Sequence, residues 1–310
     1  MKKVSVIMSV YNEKKIWVQK AIESIINQTY KNIEFIIILD NPSNLELDKT
    51  IAEYSARDNR IKYYINERNK GLVESLNFGI DQCTGEYIAR MDADDISELE
   101  RIEKQLFFIE KNNCDIVGSR MRLISENENL LGMTGKYGLR EKTAIESLKI
   151  RNIISHPTWF VKSECFKKIG KYHSLYTIED YEWMCRAITY GFKVCNMPDV
   201  LLNYRVRSSS VSSEKAYLQH CSGKIVRKEY IRCIRKHKIF DYKKVEDEIL
   251  NIKGEENQYA KYSMLLRQGY GCIKQRRLFY GIYNIIRAIL GEPELIESLV
   301  GAVKLKIVNL

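Results

Sequence analysis

Short apolar runs alternate with amphipathic segments along the first 120 residues. The β-branched run Val4–Val10 predicts a buried strand, and the apolar residues three and four positions apart in the next segment predict a helix. Further strands are predicted at Ile33–Leu39, Ile61–Ile65 and 86–91, again with helices between them. Strand–helix alternation at this rate indicates βαβ units, and therefore an α/β fold whose mostly parallel central sheet is flanked by helices.

The pattern changes after residue 120. Residues 121–160 are less regular, and the polar stretch that contains Gly132, Gly135 and Gly138 predicts a loop or lid. Strand-like residues return at 158–161 and 194–197, and 181–190 have a helical spacing that buries Trp183. From Ser213 onward the chain is predicted to be helical. We therefore expect two parts, an α/β domain over 1–212 and a helical C-terminal extension over 213–310.

The composition is that of a soluble globular protein. The 310 residues are 45% hydrophobic and 29% charged, which excludes a disordered chain, a collagen-like repeat and a polytopic membrane protein. The eight cysteines form no C-x-x-C pair, and the first residues do not look like a signal peptide. These features predict reduced cysteines in a cytoplasmic protein.

The net charge of +10 is concentrated near the C-terminus. Residues 221–310 contain 18 Lys/Arg against 10 Asp/Glu, a net +8, which leaves +2 for the rest of the chain. A basic extension on a near-neutral body predicts an anionic partner. Nucleic acid and an acidic membrane surface are the two classes of partner that fit.

Polar side chains follow three of the predicted strands where each strand ends. These clusters are 11–13, 40–41 and 92–95. Because ligands of parallel sheets bind at the carboxyl ends of the strands, we expect the three clusters to face one crevice. A single aspartate cluster is typical of a surface turn, but three at successive strand ends favour a binding site.

Two carboxylates at positions i and i+2, Asp92 and Asp94, favour a nucleotide site with a cation. One can reach a ribose hydroxyl while the other binds Mn²⁺ or Mg²⁺, ions that take few protein carboxylates together with water and phosphate oxygens. The chain has no P-loop and no strand-linked G-x-G-x-x-G, which argues against P-loop enzymes and Rossmann dehydrogenases. It also lacks the glycine-rich loop expected of a sugar nucleotidyltransferase.

Four ordered segments resemble family 2 glycosyltransferases, which have the GT-A fold. They are Val4 to Glu13, the Asn69-Lys70-Gly71-Leu72 segment, the D-x-D element at 92–95, and Glu179-Asp180. The resemblance covers about residues 3–212. It implies an inverting transfer from a nucleotide-diphospho-sugar, with a carboxylate that takes the proton of the acceptor hydroxyl.

The resemblance also implies a role for each cluster. Asp180 is implied as the general base, with Glu179 beside the acceptor, although both acids would also suit a helix N-terminus. The donor nucleotide is implied to lie against the three strand-end clusters, and the metal against the second half of the D-x-D element. By position these are Tyr11, Asn12, Glu13, Asp40, Asn41 and Asp92 for the donor, and Asp94 and Asp95 for Mn²⁺ or Mg²⁺.

Three positions differ from the family pattern or have a second interpretation. Asn41 stands where a second aspartate is common; an amide still hydrogen-bonds an imide edge, so we expect a uracil base. Arg207 replaces a metal-binding histidine and is expected to pair with the donor diphosphate. His156 has a family counterpart near the acceptor pocket, although a lone histidine is also typical of a structural role.

These observations predict a non-processive hexosyltransferase of bacterial surface polysaccharide (capsule, O-antigen or exopolysaccharide), acting on a saccharide or lipid-linked acceptor. The basic extension, with an apolar stripe of Ile282, Ile285, Ile286 and Ile289, favours peripheral attachment to the anionic inner face of the cell membrane over nucleic acid. The alternatives are a nucleic-acid-binding protein and a catalytically silent glycosyltransferase partner subunit.

Overall fold

The computed structural model describes residues 1–134, 141–175, 178–207, 216–252 and 256–308. Within these residues the chain forms one sheet of nine strands. The strands are β1 (Val4–Val10), β2 (Ile33–Leu39), β3 (Ile61–Ile65), β4 (Tyr87–Asp92), β5 (Ile96–Ser97), β6 (Ile116–Ile124), β7 (Leu130–Met133), β8 (Phe160–Lys162) and β9 (Val194–Arg205).

Helices connect the strands and then form the C-terminal extension. A single 3₁₀ turn, His156–Thr158, precedes β8. The α-helices of the described residues are α1 (Lys15–Ile26), α2 (Leu45–Arg57), α3 (Leu72–Gln82), α4 (Arg101–Lys111), α5 (Glu141–Leu148), α6 (Ser163–Ile169), α7 (Glu179–Thr189), α8 (Ala216–Lys236), α9 (Tyr242–Leu250), α10 (Glu256–Lys274), α11 (Leu278–Gly291) and α12 (Leu295–Val308).

The sheet has the order β3-β2-β1-β4-β8-β6-β9-β5, and β7 pairs with β6. Its first four strands are parallel, as is the β6–β9 pair, while β8, β7 and β5 pair in the antiparallel direction. The longest pairings are the parallel ones. The predicted α/β architecture with a mostly parallel sheet is therefore confirmed.

Apolar cores cover both faces of the sheet. Side chains alternate along β1, so that Val6 and Met8 join the core under α1 while Ile7 joins the core under α3. Burial on both faces explains why these strands are continuous apolar runs in the sequence. Helix α3 lies especially close to the sheet, because a Cβ at Gly79 would come within 2.7 Å of Ile7.

The observed elements agree with the predicted ones in the first 110 residues to within a few positions. The helix predicted at 181–190 begins two residues earlier, at Glu179, and buries Trp183 as expected. The loop or lid predicted around the three glycines is wrong in part, since Gly132 lies in β7. The glycines at 135 and 138 lie outside the described residues. The strands predicted at 158–161 and 194–197 correspond to β8 and to the start of β9.

The C-terminal extension is helical, as predicted, but its first two helices are not a separate layer. Val226 and Tyr230 of α8 and Val245 of α9 belong to the same apolar core as Trp183 of α7. Helices α10, α11 and α12 add a smaller core around Tyr259 and other apolar residues. The predicted boundary between 212 and 213 lies outside the described residues. No helix of the described segments is long and apolar enough to cross a membrane.

Candidate active site

The register of the sheet brings the strand-end clusters together. Val10 pairs with Leu39 and Ser9 pairs with Asp92, so β1, β2 and β4 end side by side at one edge. The residues that follow these strands are the polar clusters of the sequence. The structure therefore places all three clusters at one edge, as expected for a parallel sheet.

Arg207 joins the first cluster to the D-x-D element. Its Nε atom lies 2.9 Å from Asp94 Oδ2, and its Nη1 atom lies 3.9 Å from Glu13 Oε1. The guanidinium thus neutralises carboxylates on two different strand ends. Glu13 and Arg207, predicted for the donor, and Asp94, predicted for the metal, therefore form one charged group at the sheet edge.

The two predicted metal ligands fit a divalent cation. Asp95 Oδ1 accepts the Arg205 backbone N–H at 2.9 Å, whereas Oδ2 is buried and has no hydrogen-bond partner among the described residues. Burial and the neighbouring Asp92 raise the pKa of Asp94 to about 6 and raise that of Asp95 as well. A divalent cation would offset the repulsion between these carboxylates, and the unpartnered oxygen could bind it. Carboxylate oxygens are ligands that Mn²⁺ and Mg²⁺ take in proteins.

Asp94 and Asp95 would supply only part of the coordination shell of such an ion. No group of three or more His, Cys, Asp and Glu side chains that could hold a metal occurs in the described segments. Two carboxylates suit an ion that keeps water and substrate phosphates as its other ligands. When bound, Mn²⁺ or Mg²⁺ supplies positive charge to the phosphate oxygens of a donor.

Arg205 is a functional-site residue that the sequence motifs did not identify. Besides binding Asp95, it donates from Nε to the Asp94 carbonyl at 2.8 Å and from Nη1 to the Glu126 carbonyl at 3.0 Å. Its guanidinium also lies 5.0 Å from the Trp17 ring centroid. Arg205 is fully buried, and its hydrogen bonds to Asp94 and Asp95 fix the loop that contains the D-x-D element. The only signal in the sequence was its place two residues before Arg207.

Asp40 lies at the expected sheet edge but is saturated by internal donors. Its carboxylate accepts hydrogen bonds from Asn66 Nδ2 at 2.6 Å and from the backbone N–H groups of Lys70 and Gly71, each at 2.8 Å. Gly71 has φ +85°, a conformation that favours glycine. Asp40 therefore fixes the loop that carries the Asn69-Lys70-Gly71 motif, while its predicted contact with the donor base stays a prediction.

Asn12 and Asn41 form an amide pair between the first two clusters. Asn41 Nδ2 donates to Asn12 Oδ1 at 2.7 Å, and Asn44 Nδ2 donates to the same oxygen at 3.2 Å. Tyr11 precedes them with its side chain 43% exposed, and its backbone N–H donates to Glu13 Oε2 at 2.8 Å. An exposed ring beside fixed amides is suited to stacking on a base and hydrogen-bonding its edge.

Asp180 occupies the first turn of α7, although Ile178 and not an acid takes the N-cap position. Its Oδ2 accepts from Asn152 Nδ2 at 2.8 Å and its Oδ1 from the Tyr181 N–H at 2.6 Å. Burial raises the pKa of Asp180 to about 6 and, with the charge of Asp180, that of Glu179 to about 7. A carboxylate near neutral pKa with fixed orientation is suited to proton abstraction.

Arg90 connects the two acidic elements from within the sheet, and the motifs did not predict it. This buried arginine of β4 pairs with Asp92 at 2.5 Å between Nη1 and Oδ1. Its positive charge also lowers the pKa of Glu179 and Asp180, against the larger effect of burial. A cationic residue inside an otherwise apolar strand was the available signal.

His156 lies behind the site in an aromatic cluster. Its Nε2 atom is 2.9 Å from the Tyr172 hydroxyl, and its ring packs edge-on against Trp159 at 4.6 Å between centroids. Burial, together with Arg90, holds the pKa of His156 well below its usual range. The histidine is therefore neutral, and its predicted role toward the acceptor stays a prediction.

The sequence and the fold of this chain are similar to those of known proteins. Residues 5–170 match the family model described as glycosyl transferase family 2. The chain belongs to glycosyltransferase family 2. This glycosyltransferase is 35% identical over 244 residues to an uncharacterized glycosyltransferase of Methanocaldococcus jannaschii, with 77% of each chain covered.

A second relative is the O-antigen biosynthesis glycosyltransferase WbnJ of Escherichia coli. The identity is 33% over 222 residues, which cover 71% of this chain and 86% of WbnJ. Among solved structures, the fold is similar to that of S. aureus TarS 1–349 in complex with UDP-GlcNAc, with a TM-score of 0.58 and 18% identity over 93% of this chain and 79% of TarS. The predicted family, GT-A fold and transferase activity are confirmed.

Proposed function

We propose that this glycosyltransferase transfers a hexose from a UDP-sugar with inversion, one sugar at a time. The observation that carries the proposal is Asp180, a carboxylate oriented by Asn152 and held near neutral pKa beside the D-x-D element. An acid cluster for the donor and a separate base for the acceptor are the two parts that a single displacement requires.

In the proposed step an acceptor hydroxyl attacks the anomeric carbon of the donor. Asp180 takes the hydroxyl proton, the new oxygen–carbon bond forms, and the bond from the anomeric carbon to the diphosphate oxygen breaks on the opposite face. The diphosphate leaves as UDP with the bonding electron pair. Arg207 is the residue we propose to pair with those oxygens, and its contact with Asp94 at the D-x-D element supports the proposal.

The donor nucleotide is assigned to the strand-end clusters. Tyr11 offers an exposed ring, Asn12 and Asn41 offer amides, and Asp92 is the residue we propose for a ribose hydroxyl. TarS, whose fold is similar, forms a complex with UDP-GlcNAc, which supports a UDP-sugar as the donor class. The pathway we propose is surface polysaccharide synthesis, because WbnJ is named for O-antigen biosynthesis.

We also propose that the enzyme works on a saccharide or lipid-linked acceptor while attached peripherally to a membrane. One side of α11 is apolar and exposed, with Phe279 94% and Ile282 and Ile286 each 50% exposed. Arg276 and Arg277 precede this helix, and no carboxylate of the described residues pairs with them. An apolar face next to unpaired cations complements an anionic lipid surface.

The exposed apolar face of α11 differs from the isoleucine stripe expected from the sequence. Ile285 packs partly into the small C-terminal core, and Ile289 is also partly buried, so only half of the four isoleucines face outward. The exposed face is extended instead by aromatic and aliphatic residues on the same helix. These are Leu278, Phe279, Tyr280, Tyr283 and Leu290.

The test of the proposed function is release of UDP from a panel of UDP-sugars with Mn²⁺. We expect at least one sugar to be transferred to water or acceptor, and Asp180→Asn to reduce the rate by about 100-fold or more because the base is lost. UDP affinity should be unchanged in that variant. Asp199→Asn, which changes an exposed carboxylate of β9, is the matched control. A full rate in Asp180→Asn would exclude Asp180 as the base.

A further inference from the structure

A cavity of about 470 Å³ lies between Asp180 and the C-terminal extension. Asp180 and the segment 150–155 form one wall, and residues of α8 and α12 form the other. Its size is that of a small-ligand site. The polar clusters that we assign to the donor do not line it, so the cavity opens on the acceptor side of the base.

Glycines on the two helices make room for this cavity. A Cβ built on Gly223 of α8 would meet no atom within 4 Å, so that position faces open space. Gly301 of α12 approaches the opposite wall, where its Cβ would lie 3.3 Å from Ile150 Cγ2. A side chain at 223 would therefore begin in open space at the cavity wall.

Arginines supply the positive charge of the lining. Arg151 directly precedes Asn152, the hydrogen-bond partner of Asp180, and no carboxylate of the described residues pairs with it. Arg227 of α8 donates from Nη1 to the Ile150 carbonyl at 2.9 Å and lies 3.2 Å from Glu297. Arg227 is thus held at the cavity wall by these two contacts, and Arg151 is available to bind an anion.

The cavity also adjoins a basic groove on the outside of α8. Arg227 lines both spaces, and the groove has a volume of about 670 Å³. Its other cations recur along one side of the helix at helical spacing. They are Lys224, Lys228, Arg232, Arg235 and Lys236, with Glu248 as the only acid of the lining.

We infer that this cavity is the acceptor site and that the acceptor is a saccharide carrying a phosphate or diphosphate group. Its hydroxyl would lie at Asp180 and its phosphate at Arg151, with the rest of the molecule directed toward the basic groove. A guanidinium binds phosphate oxygens in a planar, two-point fashion. The inference rests on the proposed function and narrows its acceptor class.

The experiment measures binding of sugar phosphates to the full chain saturated with UDP and Mn²⁺, by titration calorimetry. The ligands are glucose, galactose and N-acetylglucosamine 1-phosphates, the matching methyl glycosides, and the same sugars joined through diphosphate to decyl alcohol. We expect at least one phosphate to bind about tenfold more tightly than its methyl glycoside, because an ionised pair is gained. Tighter binding of the decyl form would identify a lipid-linked source.

Paired variants separate the site from general effects. Arg151→Gln should remove the preference for phosphate, and Gly223→Leu should abolish binding by filling the cavity. The controls are Arg57→Gln on α2 and Gly271→Leu on α10; a Cβ at Gly271 also meets no atom within 4 Å, and neither residue lines the cavity. These controls should bind like the parent protein.

The outcomes are distinguishable. If UDP binds but the sugar phosphates bind no better than methyl glycosides, or Arg151→Gln keeps the preference, the inference is overturned while the donor site stands. Absence of UDP binding in the parent protein would overturn the proposed function, and with it the acceptor assignment.

Discussion

Asn152 Nδ2 donates a hydrogen bond of 2.8 Å to Asp180 Oδ2, across 28 residues of sequence. The amide stabilises the ionised carboxylate and so opposes the effect of burial, and the resulting pKa of Asp180 is about 6. The segment 150–155 therefore controls both the direction and the protonation of the proposed base. This relationship leads to a prediction on pH.

Asn152→Ala should shift the acid limb of the transfer rate to higher pH. The variant removes a bond to the charged form, so the pKa of Asp180 rises above about 6. Because the base acts only when ionised, activity is lost as pH falls through that pKa, and the loss now begins at a higher pH, by roughly one unit. The measurement is the pH profile of kcat. Asn112→Ala is the control, since that amide bonds only within its own helix end; an unmoved acid limb would point to a base other than Asp180.

Asp94 and Arg207 should affect metal binding in opposite directions. Asp94→Asn removes a predicted ligand and should weaken Mn²⁺ binding by about tenfold or more. Arg207→Gln removes the cation that now lies 2.9 Å from Asp94 and should strengthen Mn²⁺ binding. Titration calorimetry without donor measures both effects. Equal weakening by the two variants would contradict the placement of the metal at Asp94.

Substitutions at Asp40 and Asn41 should have different effects, the first on stability and the second on nucleotide binding. Asp40→Ala leaves the Asn66 amide and the Lys70 and Gly71 N–H groups without their acceptor, which should lower the free energy of unfolding by about 2–4 kcal/mol. Asn41→Ala should weaken UDP binding with little effect on stability. Chemical denaturation and UDP titration give the two readouts. A stable Asp40→Ala variant with lost UDP affinity would instead indicate that Asp40 contacts the donor directly.

The exposed face of α11 should be needed for membrane attachment. Phe279→Glu combined with Ile286→Glu places two charges on that face and should reduce co-sedimentation with phosphatidylglycerol vesicles by about tenfold or more. The rate on a water-soluble acceptor should not change. Phe107→Glu is the control, because Phe107 is also exposed but lies on α4. Unchanged sedimentation of the double variant would contradict the proposed role of α11 in membrane attachment.

The sheet was predictable because its strands are buried on both faces. A continuous β-branched run such as Ile33–Leu39 is typical of a strand in that environment, and the register then fixes where the polar clusters meet. The residues with a family motif, such as Asp94 and Asp180, could be proposed because their neighbours in sequence carry the signal, and their roles stay predictions. The meeting of the strand-end clusters at one sheet edge was predictable from local sequence.

The supporting residues were not predictable in the same way. Arg205 binds Asp95, which is 110 residues away, and nothing in its immediate sequence specifies that partner. Arg90 pairs with Asp92 on its own strand, but its effect on the pKa of Glu179 and Asp180 depends on how α7 packs against the sheet. The cavity beside Asp180 depends on how α8 and α12 pack, which periodicity alone does not determine. The hydrogen bonds that Asp40 accepts from Lys70 and Gly71 were not predictable either, because they join residues 30 or 31 positions apart in the sequence.

Helix α8 contributes Val226 and Tyr230 to the main apolar core and Gly223 and Arg227 to the cavity. A substitution on this helix can therefore alter folding and the proposed acceptor site at once. Exchange of the C-terminal extension for that of another enzyme would have to bring a matching α7 surface with it. If the cavity is the acceptor site as proposed, a change of acceptor requires paired changes on α7 and α8, and not exchange of the extension as an independent module.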